Sequence, residues 1–204
     1  MRKLALSLSL IVGWAICATA QELPKIGFSV GAGFTTPVGT FGNSEDTGWN
    51  VDAGVGMYFT RELGINLDAG YNTMGFNSTE LGTIGHHNGS NDIFSLTLNP
   101  IVHVTPHGPV DVYLTGGGGY YRDWQAFSNA GPAAFPVAPF FPYGPTAAGV
   151  TNSYSTNKPG IDAGIGIAFG HKWGGKFFAE ARWNRVFMNN YHMDFMPVTF
   201  GFRR

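Results

Sequence analysis

The sequence predicts an all-β chain, an eight-stranded antiparallel up-and-down transmembrane β-barrel. Three observations predict it: a two-residue apolar repeat in eight separate segments, connections that alternate between short and long, and too little charge for a water-facing coat. Charged residues make up 12% of the 204 positions, about half the roughly 25% typical of soluble domains. Glycine occupies 30 positions, about twice its usual share. A formal net charge of −1 without a basic run argues against a nucleic-acid partner.

The chain opens "MRKLALSLSLIVGWAICATAQELP". Arg2 and Lys3 make a positive start, Leu4 to Cys17 an apolar middle, and Ala18-Thr19-Ala20 a small-residue cleavage site. The apolar run falls short of the roughly 18 residues of a spanning helix. Residues 1–20 therefore read as a cleaved secretory signal, and 21–204 as one barrel domain. The sole cysteine, Cys17, leaves with the signal, so no disulfide, thiolate metal site or thiol nucleophile is expected.

The strands follow in order. Ile26, Phe28, Val30, Ala32 and Phe34 alternate with glycine and serine. In "GWNVDAGVGMYFT", Trp49, Val51, Ala53, Val55, Met57 and Phe59 alternate with Asn50, Asp52 and small residues. After "TRELG", Ile65, Leu67, Ala69 and Tyr71 alternate with Asn66, Asp68, Gly70 and Asn72. Phe94 to Val104 interleaves with Ser95, Thr97, Asn99, Ile101 and His103, and Val110, Val112 and Leu114 with Asp111, Tyr113 and Thr115. Ile161 to Phe169, Phe177 to Trp183 and Met196 to Phe202 repeat the pattern around Asp162, Glu180, Arg182 and Arg203. A period of two defines a strand with one apolar and one polar face. At roughly 9–11 residues or a little more, and a tilt of about 40°, each strand crosses about 25 Å of hydrocarbon.

The connections run long (37–47), short (61–64), long (77–91), short (105–109), long (124–158), short (172–175) and long (189–194). That is the layout of a membrane barrel with short turns on one side. A soluble barrel with the apolar face inside would have to house Trp49, Trp183 and a dozen Phe and Tyr in a cylinder just wide enough for ordinary side chains. The opposite assignment puts small and charged residues inside and bulky apolar ones outside. Aromatic residues support it. Phe34, Trp49, Tyr71, Phe94, Tyr120 and Trp183 fall near the long-connection end, and Phe59, Phe169, Phe177 and Phe202 near the short-turn end. Two such belts match the two interfaces of a bilayer.

The signal, the eight alternating strands, "FFAEARWNRVF" and the closing "PVTFGFRR" resemble the small outer-membrane β-barrel family of OmpA/OmpX type. The resemblance covers Gln21 to Arg204. It implies residence among bacterial outer-membrane lipids, and the barrel-assembly machinery and periplasmic chaperones as partners during biogenesis. Barrels of this family usually finish on an aromatic residue that the machinery reads; this chain finishes Phe202-Arg203-Arg204.

Strand parity turns Asp52, Asp68, Asp111, Asp162, Glu180, Arg182 and His103 into the lumen. The expected role is structural, a network of ion pairs and hydrogen bonds with Arg182 at its centre. A small-solute channel is the rival use of the same residues. No metal or cofactor site is expected: His86 and His87 are adjacent in a loop, and His107, His171 and His192 are scattered. No catalytic residue is assigned. Some barrels of this size modify lipid A, and a deacylase among them needs a His and a hydroxyl paired on the outer wall. His103-Val104-Thr105 is the only His-x-hydroxyl triplet, and its His points inward. The connection 124–158 carries Pro132, Pro136, Pro139, Pro142 and Pro145 within a charge-free run to Asn157. There Phe135, Phe140, Phe141 and Tyr143 offer a contact surface for a surface ligand. The expected function is non-enzymatic, in envelope structure or surface contact through the long loops.

Overall fold

A computed structural model of the chain describes residues 24–43, 45–76, 88–128, 150–170 and 175–204. The signal segment, His86, His87, His171 and the ring-bearing Phe135, Phe140, Phe141 and Tyr143 lie outside them. Eight strands follow one another around a closed antiparallel barrel. They are β1 (Lys25–Val38), β2 (Glu45–Tyr58), β3 (Leu63–Phe76), β4 (Asn88–His103), β5 (Val110–Ser128), β6 (Val150–Gly170), β7 (Lys176–Phe187) and β8 (His192–Arg203). β1 and β8 close the wall from Ser29↔Arg203 to Val38↔Asp194. Arg204 extends the seam by exchanging backbone hydrogen bonds with Phe28 at 2.7 and 2.8 Å. Gly39, at φ 65°, lets the chain leave β1 for a short 3-10 turn over Gly39–Asn43.

The stagger sets the dimensions. Phe28 pairs with Val55, and following paired residues round the wall returns to β1 at Val38, ten residues further along. For eight strands that corresponds to a tilt of about 40° and a backbone radius of about 8 Å. Such a cylinder is filled by its own side chains.

The apolar repeat faces outward. Ile26, Phe28 and Val30 on β1 are 64%, 62% and 60% exposed, and Ile161, Ile165 and Phe169 on β6 stand out in the same way. Their neighbours Asp68, Asp111 and Asp162 are buried inside. This arrangement is stable only where the surroundings are apolar. Phe34, Trp49 and Tyr120 are exposed at one end, and Tyr71 is covered by Trp49 at a ring separation of 5.5 Å. Phe169, Phe177 and Phe202 form a continuous ring contact at the other end. Phe59 lies in the turn after β2 rather than on a strand.

Two sequence expectations are corrected. The strands have 12 to 21 residues, and β4, β5 and β6, at 16, 19 and 21, run well past the expected 9–11 or a little more because pairing continues beyond the aromatic belt. Residues 88–91, 124–128 and 150–158, read as loop, belong to β4, β5 and β6. Residues 88–91 and 150–158 are mainly polar at both parities, and 124–128 carry Trp124 and Phe127 at opposite parities, so no apolar alternation marks them. Pro159 sits one residue past the last β6–β7 pair, Gly160↔Val186, where β6 becomes an edge and tolerates it. The connection expected over 124–158 thus shrinks to 129–149.

The second correction concerns the interior, which is not filled by small and charged residues alone. Met74, Ile93, Tyr121, Val186, Met188, Met193 and Phe195 form a buried apolar cluster at the long-connection end, with Phe41 against it. Ile101, Tyr113, Ala168 and Phe178 form a second cluster at the short-turn end, with Tyr58 against it. The polar layer lies between two apolar ones.

The orientation is open to direct test. Spin labels at Val51, Ala53, Val55 and Ile165 are expected to be quenched by lipophilic reagents, and labels at Asp52, Gly54 and Asp162 to be protected. Protection of the first set would reverse the assignment of faces.

Candidate functional site

The inward side chains sort into tiers. In the middle tier Arg182 on β7 reaches across the lumen. Its Nη1 lies 3.2 Å from Asp68 Oδ2 on β3, the strand opposite. Its Nη2 lies 2.6 Å from Glu180 Oε1, and Nε donates to that same oxygen at 2.8 Å. Asp162 Oδ1 stands 3.9 Å from Nε, and Asp52 is within electrostatic reach of the guanidinium. Asn99 donates to Asp68 Oδ2 and to Thr97, both at 2.8 Å. A polar rung runs beside them: Thr199 donates to Asn50 Oδ1 at 2.9 Å, Asn50 to Thr35 at 3.2 Å, and Thr35 to Asn72 Oδ1 at 2.7 Å. Gly54 makes room for this tier, since a Cβ there would strike the Asp68 carboxylate and stand 2.7 Å from Ser29 Oγ.

The short-turn end holds a separate group. Asp111 Oδ2 is 2.8 Å from His103 Nδ1 and accepts from Lys176 Nζ at 2.8 Å. The His103 ring sits between Tyr58 and Tyr113 at 5.8 and 5.7 Å. Arg203 stacks its guanidinium on Tyr113 at 4.1 Å and on Phe178 at 4.8 Å. Asp52, Asp68, Asp162, Glu180 and Arg182 therefore come together, whereas His103 and Asp111 are held apart from them with Lys176 as their cation.

Sequence reasoning missed Lys176 as a partner of Asp111. Its inward parity with Phe178 and Glu180 was the available signal. Glu45 and Asn91 were missed because they lie on strand extensions read as loop, and Asp123 because it lies past Tyr120, where the recognised alternation of β5 ended. On the outer wall, Arg185 makes a two-pronged pair with Asp194, Nε to Oδ1 at 2.8 Å and Nη2 to Oδ2 at 2.7 Å. The same guanidinium covers Trp183 at 4.8 Å.

The chemistry available to these tiers is limited. His103 is buried in the lumen, and Thr105 Oγ1 donates to Val110 O at 2.9 Å and accepts from Val112 N at 2.8 Å. The triplet therefore does not form a base–hydroxyl pair on the lipid face. Among the described residues no group of three or more His, Cys, Asp or Glu side chains is placed to hold a metal ion. The polar middle encloses a cavity of about 40 Å³ beside Asp52, Asp68, Glu180 and Arg182, room for a few water molecules. Apolar clusters lie toward either end of the barrel from it.

A tilted, closed eight-stranded barrel with an apolar exterior and a polar middle is an integral membrane β-barrel. The chain belongs to the outer membrane protein beta-barrel domain family, which it matches over residues 6–203. It is similar in fold to Neisserial surface protein A, at a TM-score of 0.59 and 12% identity, covering 89% of this chain and 98% of that one. A major outer membrane protein from Thermus thermophilus is similar at a TM-score of 0.54 and 13% identity, covering 88% and 98%. No curated protein matches the sequence.

Two measurements follow from the tiers. Arg182→Ala leaves Asp68 and Glu180 without a counter-charge and is expected to destabilise the barrel by about 3–5 kcal/mol. Urea unfolding in detergent reads this, and an unchanged midpoint would show that Arg182 anchors nothing. In planar bilayers the wild-type barrel is expected to give no unitary conductance. A steady ion current would mean that the apolar clusters do not seal the lumen.

Proposed function

We propose that this protein is a non-enzymatic component of the bacterial outer membrane whose work is done at the cell surface, on the sheet that β4, β5 and β6 raise above the bilayer. One observation carries the reading. Beyond Tyr120 and its partner Pro159, β5 continues to Ser128 and β6 reaches back to Val150. At the barrel's tilt that lifts the hairpin about 20 Å past the aromatic belt. A barrel needs no such height to cross a membrane. Pairing continues from Arg122↔Asn157 to Phe127↔Asn152, so the raised part is built rather than loose. Tyr154 is 63% exposed on it. The segment 129–149 that joins the two strands carries Phe135, Phe140, Phe141 and Tyr143, an apolar set suited to contact with another surface. The name of Neisserial surface protein A, to which the chain is similar in fold, accords with a role of this kind.

On this reading residues 1–20 direct export and are removed, and periplasmic chaperones and the barrel-assembly machinery insert the chain. The sealed base supplies anchorage, and a lipid-modifying activity or solute passage is not its task.

Cells displaying the protein are expected to adhere to immobilised matrix proteins more than cells with an empty vector. Deleting 130–146, or combining Trp124→Ala with Tyr154→Ala, is expected to remove most of that adherence. The boiled-versus-unboiled gel shift of a folded barrel should remain. Equal adherence by wild type, deletion and vector would end the proposal, and a deletion that unfolds the barrel would make the segment structural.

A further inference from the structure

The lumen carries a third polar group, set above the apolar cluster at the long-connection end, and its electrostatics differ from the other two. The middle carboxylates face Arg182, and Asp111 faces Lys176 and His103. Glu45 on β2 and Asp123 on β5 face no cation among the described residues. The charges that act on Glu45 are Asp123 and Asp92, and the charge that acts on Asp123 is Asp92. Both are buried, at 4% and 5% exposure, with Asn91 on β4 at 0%.

Asn91 bonds one of the two acids and is the ladder partner of the residue that bonds the other. Its Nδ2 donates to Glu45 Oε1 at 2.6 Å, and this bond assigns the orientation of the amide. On the other side Asn91 pairs with Gln125, and Gln125 Nε2 donates to Asp123 Oδ2 at 3.4 Å. Three oxygens are left over: Glu45 Oε2, Asn91 Oδ1 and Asp123 Oδ1 are buried and, among the described residues, receive no hydrogen bond. Bare acceptors of this kind, two of them on carboxylates, are too costly to stand without positive charge.

We propose that Glu45, Asn91 and Asp123 hold a divalent cation of the Ca²⁺ class, drawn from the medium outside the cell. Two carboxylates match its charge. An oxygen-only set mixing carboxylate and amide suits a hard cation, and a set of only three protein side chains suits Ca²⁺, which accepts irregular shells completed by water, better than Mg²⁺. Asp92, directed to the outer face of β4, adds negative potential without being a ligand. The ion would tie β2, β4 and β5 together at the base of the raised sheet.

The test uses the full barrel in detergent at neutral pH, followed by thermal unfolding and by Tb³⁺ luminescence sensitised through Tyr121 and Trp124. Millimolar Ca²⁺ is expected to raise the melting midpoint by several degrees over EGTA, with half-saturation at about 0.1–1 mM. Tb³⁺ emission is expected to appear and to be displaced by Ca²⁺. Glu45→Gln combined with Asp123→Asn is expected to lose both responses while melting no lower than EGTA-treated wild type. The proposal falls if wild type melts alike in Ca²⁺ and EGTA and is stabilised only by acidification, since protons would then neutralise the pair. It falls equally if the double variant keeps the Ca²⁺ response.

Discussion

Backbone pairing governs everything else in this molecule. In hydrocarbon an unpaired N–H or C=O has no water to turn to, so the sheet has to close on itself. Closure between β1 and β8, down to the two hydrogen bonds between Phe28 and Arg204, is therefore the condition for being in the membrane at all. Once eight strands close with a stagger of ten residues, tilt, radius and lumen width are fixed together. The side chains then have little freedom. The outer face must be apolar and the inner face must fill a cylinder about 8 Å in radius.

The interior meets that demand by layering. A charged middle tier would admit water if it ran the length of the barrel. The Met74–Phe195 cluster above and the Tyr113–Phe178 cluster below stop it from doing so. Within the tier, Arg182 is long and planar enough to serve Asp68 across the lumen and Glu180 two residues away at once. Gly54 supplies the missing volume. A buried charge of this kind confers little net stability over an apolar filling, but removing one partner is costly.

Much of this was legible in the amino-acid order, and the limits have physical causes. Alternation is a local property, so the facing of Asp52, Asp68, Asp111, Asp162, Glu180, Arg182 and His103 could be read one strand at a time. Which acid meets which base depends on stagger, a property of the whole ring. That is why one expected network proved to be two groups, one centred on Arg182 and the other on Lys176. Ile93, Tyr121, Val186 and Phe195 escaped notice as an internal layer because they lie where the outward apolar repeat has thinned out. The same thinning hid the upper half of β6, where Thr, Ser and Asn alternate with one another, and the end of β5, where aromatic residues fall at both parities and give no contrast between faces.

The two apolar layers have an effect beyond filling space. Mobile ions weaken an electrostatic attraction only if they can come between or around the partners, and the guanidinium of Arg182 lies between the layers with 13% of its side chain exposed. The central clasp is thus less open to whatever brine or fresh water the cell lives in than the Arg185–Asp194 pair on the outer wall, whose arginine is 36% exposed.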